Sequence, residues 1–159
     1  MTKDVTIATI VENKPGVLHR TSNVFRQRGY NISSISVGQL EDPQLSRMTF
    51  VVEADENAIP QLTRQLSKQV DVIDVQVLNS NSIRRELALI KINATSEKQK
   101  AEIQTLCNLF KGSIVDSSPN TVIVELTNSH DKIDEFIKVA TRIGIKEISR
   151  TGVAALAKG

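Results

Sequence analysis

Apolar and polar positions along this chain run twice through one order of elements. Asp4–Val11 is a short β-branched run and reads as a strand. Val17, Leu18, Thr21, Val24 and Phe25 then recur at i, i+1, i+4, i+7 and i+8, one face of an amphipathic helix that ends near Gly29. Asn31–Gln39 is a second strand with Ile32, Ile35 and Val37 among serines. Glu41-Asp42-Pro43-Gln44 is a turn, and Ser46–Ala54 returns as a third strand. Ile59, Leu62, Leu66 and Val70 mark a second helix with Pro60 tolerated in its first turn, and Val72–Leu78 is a fourth strand.

After a polar linker, Asn79-Ser80-Asn81-Ser82, the order repeats. Leu87–Ala94 is a strand. Ser96 and Gln99 form a capping box for a helix whose inner face is Ile103, Leu106, Cys107 and Phe110, stopped by Gly112. Ser113–Ser117 and Thr121–Thr127 make a hairpin about Ser118-Pro119-Asn120. Ile133, Phe136, Ile137 and Ala140 mark a last helix ended by Gly144, and Ile145–Arg150 closes the round. The fold class is therefore α+β: two ferredoxin-like βαββαβ domains, residues 1–79 and 80–159, each an antiparallel sheet with its helices on one face. The opposite face of the first sheet carries Thr6, Ala8 and Ile10, neither cleanly polar nor cleanly apolar, so cover by a second copy or by the other domain is expected.

Composition removes several function classes. A net charge of +2, with basic residues scattered beside acidic ones, offers no stripe for nucleic acid or a membrane surface. Aromatic content of 3% and a third strand with one Phe and no Gly lack the stacking platform of an RNA-recognition motif, which shares this order of elements. The single Cys107 excludes an internal disulfide framework. Met1-Thr2-Lys3-Asp4 leads into a strand without a signal-peptide core, so a cytoplasmic location is the expectation. There is no metal-ligand spacing, no glycine-rich phosphate loop and no nucleophile elbow. His19 and His130 read as helix surface in different domains, and Cys107 reads as a core thiol. Catalytic residues are expected to be absent.

What remains is the stretch Asn13-Lys14-Pro15-Gly16-Val17-Leu18 between the first strand and helix. Pro15 keeps Lys14 extended, Gly16 permits a sharp turn, and free amides at Gly16 to Leu18 suit a carboxylate or phosphate. A plain strand-to-helix turn accounts for the same residues. Asn31 opens the second strand at the far end of that helix, roughly 15 Å away at 1.5 Å per residue. The two asparagines share a small ligand only if two subunits pair antiparallel about a two-fold. Helix amides would then take the ligand's carboxylate, asparagine amides its ammonium, and Leu18 and Ile32 would wall its aliphatic side chain.

Glu12-Asn13-Lys14-Pro15-Gly16-Val17-Leu18, Arg28-Gly29-Tyr30-Asn31-Ile32 and Leu45-Ser46-Arg47-Met48-Thr49 resemble the small regulatory subunit of acetolactate synthase (acetohydroxyacid synthase). Arg85-Glu86-Leu87-Ala88-Leu89-Ile90-Lys91 and Ser149-Arg150-Thr151-Gly152-Val153 extend the likeness over almost the entire chain. The resemblance implies an N-terminal ACT domain (the amino-acid-sensing module) that binds effector and dimerises, followed by an ACT-like regulatory-subunit domain. It implies valine at the ACT interface, with site residues at Asn13, Gly16, Val17, Leu18, Asn31 and Ile32. It implies a non-catalytic subunit that activates a large catalytic subunit and gives it valine feedback inhibition in branched-chain amino acid biosynthesis. Thiamine diphosphate, Mg and FAD are then expected on the catalytic subunit and no cofactor on this chain. A free-standing ACT-type sensor of another pathway is the alternative. Leu40, Leu45 and Arg47, around the tip at Glu41–Gln44, are the expected partner-binding residues, although the two leucines also suit a cap on the domain's own core.

Overall fold

A computed structural model describes all of residues 1–159. The chain forms two compact units: residues 1–83 together with 152–159, and residues 84–151. The expected division at residue 79 therefore moves to 83, and the last eight residues belong to the first unit rather than the second.

In the first unit the order is β1 (Thr2–Glu12), α1 (Val17–Gln27), β2 (Ile32–Gln39), β3 (Leu45–Asp55), a 3-10 turn (Glu56–Ala58), α2 (Ile59–Ser67) and β4 (Val72–Leu78). The strands lie in the order β2-β3-β1-β4, all antiparallel. Period two along β1 and β3 sends Val5, Ile7, Met48, Phe50, Val52 and Ala54 to one face. There they meet Val17, Val24 and Phe25 of α1 and Leu62 and Leu66 of α2 in a closed core. Phe25 and Phe50 stack with ring centroids 4.7 Å apart. Val70, expected on the second helix, lies beyond its end at Ser67 and is exposed, because the chain is already turning into β4.

The opposite face of this sheet is covered, as expected, but by the chain's last residues, which belong to the first unit. Thr6 and Ala8 are buried, and the cover is the chain's own C-terminus: Val153 and Ala155 pack with Ala8, Leu78 and Val51. A ninth strand, β9 (Ala154–Ala157), which sequence reading did not anticipate, lies in this segment. Hydrogen bonds beyond its strand pairing also hold this segment. The Val153 amide donates to Ser34 Oγ at 3.1 Å, Arg47 Nη2 donates to the Ala155 carbonyl at 3.0 Å, and the Lys158 amide donates to Asn81 O at 3.1 Å. Gly152 lies so close to β2 that a Cβ there would stand 2.1 Å from the Ile35 carbonyl oxygen.

In the second unit the order is β5 (Ser82–Asn93), α3 (Glu97–Phe110), β6 (Ser113–Ser117), β7 (Thr121–Asn128), α4 (His130–Ile143) and β8 (Ile145–Arg150). Strands run β6-β7-β5-β8, the topology of the first unit repeated. β5 begins at Ser82 and not Leu87: the alternation of half-buried Ser82 and Arg84 with exposed Ile83 and Arg85 continues the strand period outward from the core. The core is Ala88, Ile90, Ile92, Ile103, Leu106, Cys107, Val122, Val124, Leu126, Ile133, Phe136 and Ala140. Ser96 Oγ accepts the Gln99 amide, but the Gln99 side chain reaches the Thr95 amide, one residue before its expected partner. Both rounds of elements thus form ferredoxin-like βαββαβ units.

Candidate functional site

β1 ends at Glu12 and the chain must reverse into α1 within four residues. Gly16 makes the reversal with φ +83°, a left-handed conformation that costs an L-residue about 1–2 kcal/mol. No side chain caps the helix. The Val17 amide donates weakly to Lys14 O at 3.4 Å, while those of Gly16, Leu18 and His19 have no backbone acceptor and point ahead of the helix. Val17 is buried, so its side chain serves the core and only its backbone borders the turn. Leu18, beside the turn, is 43% exposed.

Two ion pairs flank the turn. Arg20 Nε donates to Asp71 Oδ2 at 2.7 Å, and its guanidinium lies over Gly16, with Nη1 2.7 Å from where a Cβ would stand. The Asp71 side chain is only 7% exposed, and the hydrogen bond from Arg20 holds its carboxyl below the ordinary aspartate range, burial acting in the opposite sense. Lys14 bonds Glu12 at 2.8 Å, which raises the lysine above its usual value. The helix amides and the left-handed glycine, with the Asp71-paired guanidinium over them, outline a small cradle at the head of α1, and open helix N-termini suit anions in general.

Asn13 joins this cradle to the β2–β3 hairpin: its Nδ2 donates to Pro43 O at 3.0 Å and its backbone amide to Gln44 O at 2.7 Å. Asn31 and Ile32 lie at the other end of the 11-residue α1, about 16 Å away. Asn31 is exposed and Ile32 half-buried against the core. One chain therefore brings together Asn13, Gly16, Val17 and Leu18, and keeps Asn31 and Ile32 apart from them.

Of the expected docking residues, two flank the hairpin tip as anticipated and Arg47 does not. Leu40 and Leu45 flank the tip, both half-buried, with the Leu40 amide donating to Leu45 O at 3.0 Å. Arg47 is not a free donor at the tip. It points to the helix-free face and holds the C-terminal segment through Ala155, and its Nε is buried without a partner.

Sequence reading missed a polar network in the second unit. His130 Nδ1 stands 2.6 Å from Glu86 Oε2, and its Nε2 stands 3.1 Å from Asp134 Oδ2. Arg150 closes the ring with Nη1 2.8 Å from Asp134 Oδ1. The available signal was Glu86 in phase with Ala88, Ile90 and Ile92: a carboxylate at a core-facing position requires a partner. The Cys107 thiol is buried and burial pushes its pKa up, which leaves it inert. No group of three or more His, Cys, Asp or Glu side chains is placed to hold a metal ion, and no helix is long and apolar enough to cross a membrane.

A split βαβ unit with a left-handed glycine and open amides at its first helix defines the class of ACT-type modules. Residues 7–74 match the family model described as the AHAS small subunit-like ACT domain, and residues 85–159 match that of the small subunit of acetolactate synthase. A probable acetolactate synthase small subunit of Archaeoglobus fulgidus is 46% identical over 154 residues, covering 97% of this chain and 96% of that one. The acetolactate synthase small subunit of Bacillus subtilis is 43% identical over 155 residues, covering 96% and 90%. The crystal structure of the Thermotoga maritima acetolactate synthase small subunit superposes with a TM-score of 0.91 at 37% identity, covering 99% of this chain and 98% of that one. The chain belongs to the acetolactate synthase small-subunit family.

Proposed function

We propose that the chain is a non-catalytic regulatory subunit that binds the acetolactate synthase catalytic subunit, raises its activity, and lowers it again when valine binds. The observation that carries the sensing half is the β1–α1 turn, whose open helix amides lie beside Leu18, with Arg20 held over Gly16 by Asp71. The ligand's carboxylate sits at the amides, Asn13 and the partner copy's Asn31 receive the ammonium, and Leu18 and Ile32 line the side chain.

A homodimer through the ACT domains completes such a site. β2 supports this reading, since it is a sheet edge with β3 as its strand neighbour and with Ile35 and Val37 exposed. We assign contact with the catalytic subunit to the hairpin tip at Leu40 and Leu45, the setting to the cytoplasm, and thiamine diphosphate, magnesium and FAD to the catalytic subunit. No step of the reaction is placed on this chain.

Reconstitution tests the proposal. The catalytic subunit is assayed alone, with this chain, and with this chain plus valine. The expected result is a rise in activity with the chain and a fall with valine. Activity unaffected by the chain in both cases would overturn the reading.

A further inference from the structure

The hairpin tip decides which way Asn13 points. An asparagine amide carries two donors on one side and one acceptor on the other, and its orientation is set by its partners. Here the partner is the Pro43 carbonyl, which can only accept, so the bond to Nδ2 at 3.0 Å turns Oδ1 away from the tip. An amide flipped the other way would set oxygen against oxygen. Oδ1 is the atom an ammonium group requires, whereas an NH2 group presented there would repel it.

The carbonyl is itself held in place. Gln39 Nε2 donates to it at 3.1 Å. Asp42 Oδ1 accepts the Gln44 amide at 3.0 Å, an Asx turn, and the Leu45 amide donates to Asp42 O at 3.0 Å. The Asn13 amide on Gln44 O ties the same tip to the turn ahead of α1.

We propose that the tip of the β2–β3 hairpin is a positioning element for the sensor: Asp42 shapes the tip, Pro43 O orients Asn13, and Asn13 Oδ1 is thereby presented to the ammonium of an α-amino acid. The inference rests on the valine-sensing reading above and assigns parts to residues that touch no ligand. It also fixes the sign of a coupling. A tip that must be ordered for the ligand to bind is ordered further by the ligand, because coupling between two events is reciprocal. Valine and a protein docked at Leu40 and Leu45 then act on one and the same hairpin.

Two measurements on the full chain test this. Calorimetric titration with valine is run on the wild type, Asp42→Ala and Asp42→Asn. The alanine variant, which loses the Asx turn, should bind about three- to tenfold more weakly. The asparagine variant, which keeps a side-chain acceptor, should restore the affinity, a rescue that general loosening would not give. Hydrogen exchange of the peptide spanning residues 40–45, read with and without saturating valine, should slow in the wild type and stay unchanged in Asn13→Ala. Wild-type binding with equal affinity in Asp42→Ala, or with no change in exchange at 40–45, overturns the positioning role and leaves valine sensing standing. A wild type that binds no valine overturns both.

Discussion

Gly16→Asp places a fixed carboxylate in the cradle that a ligand carboxylate is assigned to occupy. The left-handed φ of +83° costs an L-residue about 1–2 kcal/mol, and aspartate is among the residues that tolerate it best. The new Cβ meets Arg20 Nη1, the far end of a flexible side chain, so the guanidinium swings aside rather than the backbone. A carboxylate at a helix N-terminus returns about 0.3–1 kcal/mol. The net destabilisation is about 0–1.7 kcal/mol, a fall of a few degrees in melting temperature. Valine loses its charged hydrogen bonds and meets like charge instead. Each such bond is worth about 1.5–3 kcal/mol, so affinity should fall at least about a hundredfold. Size-exclusion chromatography, thermal melting and calorimetry on one preparation check all three. A folded dimer with valine affinity within about threefold of the wild type would refute the placement of the carboxylate. Loss of the dimer together with sensing would make Gly16 a structural residue.

Asn13→Ala and Asn31→Ala should each weaken valine binding about ten- to hundredfold while activation of the catalytic subunit survives, as read by calorimetry and by reconstituted activity. Gly152→Ala would drive a Cβ into the Ile35 carbonyl, so residues 152–159 should lift from the sheet and their amide exchange should rise, at a cost of about 1–3 kcal/mol. The Arg20–Asp71 pair should leave a pH signature in the stability difference between wild type and Asp71→Asn. Because the folded carboxyl is depressed, the advantage is complete above the ordinary aspartate value of about 3.9 and is lost as pH falls through the lower folded value. Denaturant melts across that range read it directly, and an advantage that instead grew toward acid would contradict the sign.

Local patterning carried most of the fold to the page. Period two in β1 and β3, the 3.6-residue repeats of α1 and α4, and the stop at Gly144 are short-range signals, and each matches an observed element; α3, expected to stop on Gly112, is capped instead by Lys111 in the left-handed conformation at φ 60°. What escaped was long-range. Val153 and Ala155 look like any small apolar pair at a chain end, yet they cover Ala8, more than 140 positions away. Arg47 reads as a surface donor beside a turn until β9 supplies the Ala155 carbonyl. Glu86 was passed over because its partners, His130 and Arg150, come from two later elements. At the candidate site the residues were visible one by one. The hydrogen bond that joins Asn13 to the hairpin tip was not, because it needs the β1–β3 register that sets Glu12 opposite Leu45.

In the proposed sensor, an amino acid is held between two copies of the chain, by Asn13 from one and Asn31 from the other. Neither Asn13→Ala nor Asn31→Ala dimers hold an intact site. In a heterodimer of the two variants one site loses both asparagines and the other regains both. Co-expressing the variants with different tags, purifying the mixed dimers and titrating valine tests this directly. Wild-type affinity is expected at about half of the sites in the heterodimer. Binding as weak as that of the two parents would place both asparagines' contributions within single chains and contradict it.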